Sequence, residues 1–190
     1  MKAVGICGSP RVEGNTEYLV KLCLNRLAEK GIETTFIPLA GKLIKPCIAC
    51  YTCFKTKDKT CSQKDDDFHP IFTKMLEADI IVVGSPVYFG SATPEMMALL
   101  DRAGFVSRSN ELLFTRKLGG PIAVARRSGH NFTFAQLLIW YMINGFVVPG
   151  SSYWNIAFGG KKGEVATDEE GVKTILNFAD NLAWLAEKLG

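Results

Sequence analysis

The sequence predicts a doubly wound α/β fold, and three observations carry that reading. Short apolar runs alternate with amphipathic ones along the whole chain. The segment "DIIVVGSPVY" carries a continuous apolar run after its aspartate, the pattern of a strand buried on both faces. The first strand passes into a helix through a glycine-bearing loop, "GSPRVEGNT". Right-handed helical crossovers limit the topologies, and the expected strand order is 2-1-3-4-5, with ligands at the carboxyl ends of strands 1, 3 and 4.

Taken in order, "KAVGICG" is the first strand, and residues 15–30 form a helix with Leu19, Leu22, Cys23 and Leu27 on one face. "ETTFIPL" is the second strand, followed by a cysteine-rich loop over residues 40–64. A helix near residues 68–77 starts from Asp65, Asp66 and Asp67, expected as cap and first-turn acids. After the third strand, Pro94 opens a helix running to Ala103, proline being suited to a first turn. "GPIAVA" is the fourth strand, residues 132–143 a helix and "GFVVPG" the fifth strand. Residues 151–170 are glycine-rich and expected as loop, and residues 172–189 close the chain as a helix. No repeat or linker interrupts this order, so one domain over residues 1–190 is expected.

Composition narrows the function classes. A chain of 190 residues, 47% hydrophobic and 22% charged, has ordinary globular composition. A net charge of +3 with no long basic run gives no case for nucleic acid. The apolar run at the N-terminus is cut short by Gly8-Ser9-Pro10, too soon for a signal peptide. "FTFAQLLIWYMINGFVV" is broken by Gln136, Asn144 and Gly145, against a membrane span. A soluble cytoplasmic protein is expected, and there clustered cysteines favour metal binding or catalysis over disulfides.

The loop "GSPRVEGNT" supplies hydroxyls from Ser9 and Thr16, a cation from Arg11 and an amide from Asn15. Gly14 permits close backbone approach, and free N–H groups at the following helix start complete a phosphate cradle. An ordinary turn capped by Asn15 or Thr16 is the plainer alternative. Rival phosphate sites fail on spacing. Pro10 stands where the dinucleotide fingerprint needs its second glycine, and Asn15 occupies the lysine position of a nucleoside-triphosphate loop. Cys7 is too close to Arg11 to wrap an oxyanion as a phosphatase nucleophile, so Cys7 and Cys23 are expected as small core residues.

"GSPRVEGNT", followed by "GSPVYFGSATPEMMALLDR" after the third strand, resembles the flavodoxin-like, NAD(P)H-dependent FMN reductase family. Within that family, "CIACYTCFKTKDKTC" looks like the compact motif of iron–sulfur flavoproteins. The resemblance covers essentially the whole chain, in the same order. It implies that Ser9, Arg11, Gly14, Asn15 and Thr16 hold the FMN phosphate. Pro86, Val87, Tyr88, Phe89 and Gly90 would lie along the isoalloxazine, where apolar side chains exclude water and backbone N–H groups tune the ring. A strand end with core aromatics is the simpler account of the same residues. The third loop, "ARRSGHNF", should complete the pocket with Arg127, Ser128, Gly129 and His130, although it departs from a plainer glycine-rich form. Arg126 and Arg127 fit a solvated surface pair equally well.

Cys47, Cys50, Cys53 and Cys61 have the spacing C-x2-C-x2-C-x7-C. Overlapping C-x2-C units supply three thiolates to one 4Fe–4S cubane, with the fourth from further along. Zinc ribbons separate their knuckles by a longer spacer, and redox-active or merely structural thiols are the remaining options. Lys42, Lys45, Lys55, Lys57, Lys59 and Lys64 surround the motif and could offset a cluster's negative charge, attract an acidic partner, or simply be solvated.

The leading expectation is an FMN and 4Fe–4S protein coupling a ferredoxin-like one-electron donor to a small-molecule acceptor. The alternatives are an FMN-only NAD(P)H-dependent reductase of quinones, nitro compounds or flavin, and a non-enzymatic flavodoxin-type carrier. Tyr88 or His130 could assist protonation, with no catalytic side chain required, and His69 is expected to be an ordinary residue at a helix start. The helix over residues 132–143 is apolar on more faces than one sheet can cover. A homodimer or homotetramer burying Trp140 and Tyr141 is therefore expected, without nucleic acid or membrane as partner.

Overall fold

The computed structural model describes residues 1–189. Its centre is a five-stranded sheet of order β2-β1-β3-β4-β5, with β1 (Lys2–Cys7), β2 (Glu33–Pro38), β3 (Ile80–Pro86), β4 (Leu118–Ala125) and β5 (Ile156–Phe158). Every pairing is parallel, with Ala3 opposite Ile80 and Ile80 opposite Leu118. The order is the one expected from sequence.

Alternation along the strands divides the core in two. On one face Ile80 and Val82 of β3 pack with Leu19, Val20, Leu24 and Leu27 of α1 (Asn15–Glu29) and Phe178 and Leu182 of α6 (Glu169–Leu189). On the other, Ile81 and Val83 pack under Phe68 and Phe72 of α3 (Phe68–Glu77), Met96 and Leu99 of α4 (Pro94–Ser109), and Leu137 and Tyr141 of α5 (His130–Ile143). Both faces are covered, which is why β4 is buried throughout and β3 as far as Ser85, with apolar residues predominating in both. A short helix, α2 (Thr52–Thr56), lies inside the cysteine loop, where none was expected. No helix among the described residues is long and apolar enough to cross a membrane.

Four expectations change. The fifth strand is not "GFVVPG". Gly145 takes φ +75°, Phe146 turns inward onto Tyr141, and only Val147 bridges to Leu118 before Pro149. The edge strand is instead Ile156–Phe158, within the segment expected as loop, which also holds a 3-10 turn at Glu164–Thr167 and the start of α6. Trp140 and Tyr141 are not interface residues; both are buried within this chain. Trp140 Nε1 donates to the Leu100 carbonyl at 2.8 Å, and the Tyr141 hydroxyl sits among Ile81 O, Gly120 O and the N–H of Val83 at 3.0–3.1 Å. Both polar tips are satisfied, so each ring can be buried without penalty. Finally, Asp67 makes no side-chain cap; its carboxylate accepts from Leu43 N–H at 2.8 Å, while Asp66 turns inward and accepts from the first helical amide, Phe68 N–H, at 3.3 Å.

Candidate functional site

The loops after β1, β3 and β4 meet at the carboxyl end of the sheet. In the first, the N–H of Arg11 donates to Ser9 Oγ at 3.1 Å, and the N–H of Gly14 to the Arg11 carbonyl at 3.2 Å. Ser9 and Thr16 are buried. Gly14 caps α1 with no side chain of its own, leaving the first-turn amides without acceptors from within the helix. A Cβ at Gly14 would lie 3.0 Å from the Arg11 carbonyl, so the tight loop favours glycine there. The result is an open anion cradle at a helix start.

Two proposed phosphate ligands are engaged elsewhere. Asn15 Nδ2 donates to the Lys161 carbonyl at 2.9 Å, and its Oδ1 accepts from Val165 N–H at 3.4 Å. Arg11 Nη1 reaches the Gly160 carbonyl at 3.3 Å. Both side chains thus tie the loop to the segment following β5, which forms a further wall of the cradle. The sequence does not signal that wall, because the three-residue β5 leading into it is too short to show a strand pattern.

The loop after β3 folds back as a tight turn in which Tyr88 and Ser91 exchange backbone hydrogen bonds at 2.8 and 3.0 Å. Phe89 and Gly90 take φ +52° and +82°, and Phe89 projects fully into solvent. Val87 N–H donates to the Val124 carbonyl at 2.9 Å, extending the sheet past Pro86. The loop after β4 closes against this turn at Gly129, whose φ is +85° and whose Cβ position would fall 2.9 Å from Val87 Cγ1 and 3.2 Å from Gly90 Cα. His130 packs edge-on against Phe158 at 5.0 Å, and its buried Nδ1 has no hydrogen-bond partner among the described residues. Arg127 and Ser128 are exposed; Arg126 folds over Gly160.

The polar braces between these loops come from residues outside the sequence-predicted site. Thr93 Oγ1 donates to the Gly8 carbonyl at 2.8 Å, and Thr93 N–H to Ser85 Oγ at 3.0 Å, joining the first two loops. Gln136 Oε1 accepts from Ala92 N–H at 2.8 Å and pairs with Ser91 Oγ at 3.1 Å, joining α5 to the second loop. Gln136 interrupts the apolar run of α5, and that interruption was the available signal. The glycine cap, the close approach at Gly129 and the orphaned His130 nitrogen suit a phosphate-bearing aromatic cofactor such as FMN.

The cysteine loop emerges from β2 at the same end of the sheet and lies against α4. Cys47, Cys50, Cys53 and Cys61 all line one small, mainly apolar cavity floored by Arg102 and Phe105 of α4. Tyr51, Phe54 and Phe105 form a three-ring aromatic cluster at centroid spacings of 5.9–6.0 Å beside it. No three potential ligands among the described residues converge as around a single ion. Four thiols spread around one cavity suit a cubane, in which each thiolate binds a different iron. Cys50 is exposed, and its thiol is lowered to about 7 by hydrogen bonds from Ser62 and then Thr52. By contrast, burial raises Cys7 to about 11 and Cys23 to about 12, as befits core thiols. Of the surrounding lysines, Lys45 pairs with Asp65 and Lys42 with Asp67 at 3.9 Å. His69 sits at the start of α3 with its ring at the backbone of Cys61, 3.1 Å from the carbonyl.

Residues 1–161 match the family described as NADPH-dependent FMN reductase. An iron-sulfur flavoprotein of Methanocaldococcus jannaschii is 38% identical over 195 aligned positions, covering 96% of each chain. One of Methanosarcina thermophila is 33% identical, over 98% of this chain and 96% of its own. Among solved structures, RosB with bound 8-demethyl-8-formylriboflavin-5'-phosphate superposes with a TM-score of 0.80 at 19% identity, over all of this chain and 80% of that one. A flavodoxin, WrbA-like protein from Agrobacterium tumefaciens gives 0.68 at 13%, over 98% of both. At such identities the structural matches speak for the flavodoxin-like fold alone.

Proposed function

The chain belongs to the NADPH-dependent FMN reductase family, and from that premise we propose that it is an iron–sulfur flavoprotein passing electrons between a 4Fe–4S cluster and FMN. The cluster exchanges one electron at a time, and FMN one or two, so together they join a one-electron donor to a two-electron acceptor. The proposed donor is a small ferredoxin-like protein and the acceptor a small molecule, in the cytoplasm. The observation that carries the reading is the single cavity shared by Cys47, Cys50, Cys53 and Cys61.

The chain's own residues have defined tasks in this reading. Ser9, Gly14, Thr16 and the first-turn amides of α1 bind the phosphate, while Arg11 and Asn15 hold the loop against residues 160–165. Pro86, Val87, Tyr88 and Gly90 shape one side of the ring pocket, with Gly129 and His130 opposite. Phe89, fully exposed, is placed to cover the ring from the solvent side. α4 starts at the flavin turn and passes the cysteine cavity eight residues later at Arg102, about 12 Å along the helix. One rigid helix therefore fixes the distance between the two centres. The outer face of α5, with Phe132, Ile139, Met142 and Ile143 exposed, supports self-association into a homodimer or homotetramer.

Anaerobic purification with iron, sulfide and flavin analysis tests the reading. About four irons and four sulfides per FMN are expected. FMN without stoichiometric iron sinks it, and bleaching of that FMN by NAD(P)H alone establishes the FMN-only reductase instead. Bleaching only by a reduced protein, with no turnover of any acceptor, points to a flavodoxin-type carrier.

A further inference from the structure

Arg102 is the largest fully buried side chain in the molecule, and it lies on the wall of the cysteine cavity. Its guanidinium has five N–H donors. Four are used by the two Nη atoms: Nη1 donates to the Lys45 carbonyl at 3.2 Å and to Asp66 Oδ2, and Nη2 to the Gln63 carbonyl at 3.0 Å and to Asp66 Oδ1 at 3.3 Å. Lys45 stands two residues before Cys47, and Gln63 two residues after Cys61. One cation therefore clasps both ends of the loop that carries all four thiols. Phe68 holds the guanidinium plane from the side, 4.0 Å from Cζ to the ring centre.

The fifth donor, Nε–H, is buried and has no acceptor among the described residues. A buried unpaired donor is costly, and more so on a charged group, so its retention calls for an acceptor that the described residues do not supply. We propose that this acceptor is a sulfur of the iron–sulfur cluster. Arg102 thereby acts as a positioning residue that closes the cysteine loop through its Nη groups and tunes the cluster through Nε. The proposal rests on the cluster reading above. A hydrogen bond and a nearby positive charge both stabilise the more negative, reduced cluster, so Arg102 raises its reduction potential.

The test compares wild-type protein and Arg102→Lys, both isolated anaerobically with cluster and FMN. Lysine keeps the charge but loses the planar fork and the Nε donor. In a redox titration followed by electron paramagnetic resonance, the cluster of Arg102→Lys is expected to be about tenfold harder to reduce, about 59 mV for one electron. It should also release iron to a chelator faster, because the clasp is lost. Independently of any variant, wild-type protein grown on guanidino-15N arginine should show a weak 15N coupling to the reduced cluster. Arg102 is the sole arginine lining that cavity, so the signal has one source. An unchanged potential together with no 15N coupling overturns the proposal while leaving the cluster in place. If Arg102→Lys does not fold, the labelled wild type decides alone. Wild-type protein without iron overturns the cluster reading itself, and is recognised before any comparison is made.

Discussion

Arg102 and Asp66 form an ion pair in which neither side chain has any exposed surface, and the pair sits directly beneath the cysteine loop. Two charges removed from water are tolerated because every oxygen has a donor. Asp66 accepts from both Nη atoms, from Lys45 N–H at 2.9 Å and from Phe68 N–H at 3.3 Å. Such a pair contributes little net stability relative to apolar residues, but it penalises the loss of either member.

Removing one partner is therefore expected to be severe. Asp66→Ala should cost about 3–5 kcal/mol in chemical denaturation, because a buried cation is left uncompensated. The double variant Asp66→Leu with Arg102→Met should recover much of that stability while failing to restore the closed loop. Equal stability of wild type and Asp66→Ala in urea unfolding contradicts the assignment.

The same pair makes stability depend on acid. Burial alone would raise the Asp66 carboxyl; the Arg102 hydrogen bonds, the Lys45 N–H and the Arg102 charge outweigh it, so it lies below the ordinary value. A carboxylate depressed in the folded state stabilises the fold above its unfolded pKa of about 3.9, and that contribution is lost as pH falls through the lower folded value. Thermal melting should fall between about pH 5 and pH 2, more steeply in wild type than in Asp66→Asn.

The contact between the loop after β4 and the turn after β3 should be sensitive at Gly129. A side chain there meets both a left-handed backbone, costing about 1–2 kcal/mol, and Val87 Cγ1 at 2.9 Å. Gly129→Ala should weaken FMN binding by at least about tenfold, or 1.4 kcal/mol, read from flavin fluorescence during titration of the apoprotein. Far-UV circular dichroism should be unchanged, since α5 begins one residue later.

Thiol chemistry should sort the six cysteines into two groups. In metal-free protein, Cys50 should be alkylated first, because it is exposed and its thiol titrates near 7. Cys7 and Cys23 should stay unmodified until unfolding. In protein reconstituted with iron and sulfide, Cys47, Cys50, Cys53 and Cys61 should all be protected, as peptide mass mapping would show.

Sequence alone determined the sheet order, five of the six α-helices among the described residues and the placement of the loops after β1, β3 and β4. Continuous apolar strands and helical periodicity report burial locally, residue by residue, and proline and glycine mark where elements start. It also determined the grouping of four cysteines, since their spacing is itself a short-range property. Tertiary structure alone decided the rest. A three-residue edge strand has too few residues to show a pattern, so Ile156–Phe158 emerged only from its pairing with β4. Trp140 and Tyr141 looked like surplus apolar surface until Leu100 O and the strand backbone were seen to satisfy their polar tips. In sequence Asp66 is one more acid at a helix start, and it does accept from Phe68 N–H; its pairing with Arg102, 36 residues away, is decided only by the fold. The identity of the residue that closes the cysteine loop is a long-range fact. No local rule relates a helix arginine to the carbonyls of Lys45 and Gln63; only packing α4 beneath the loop does.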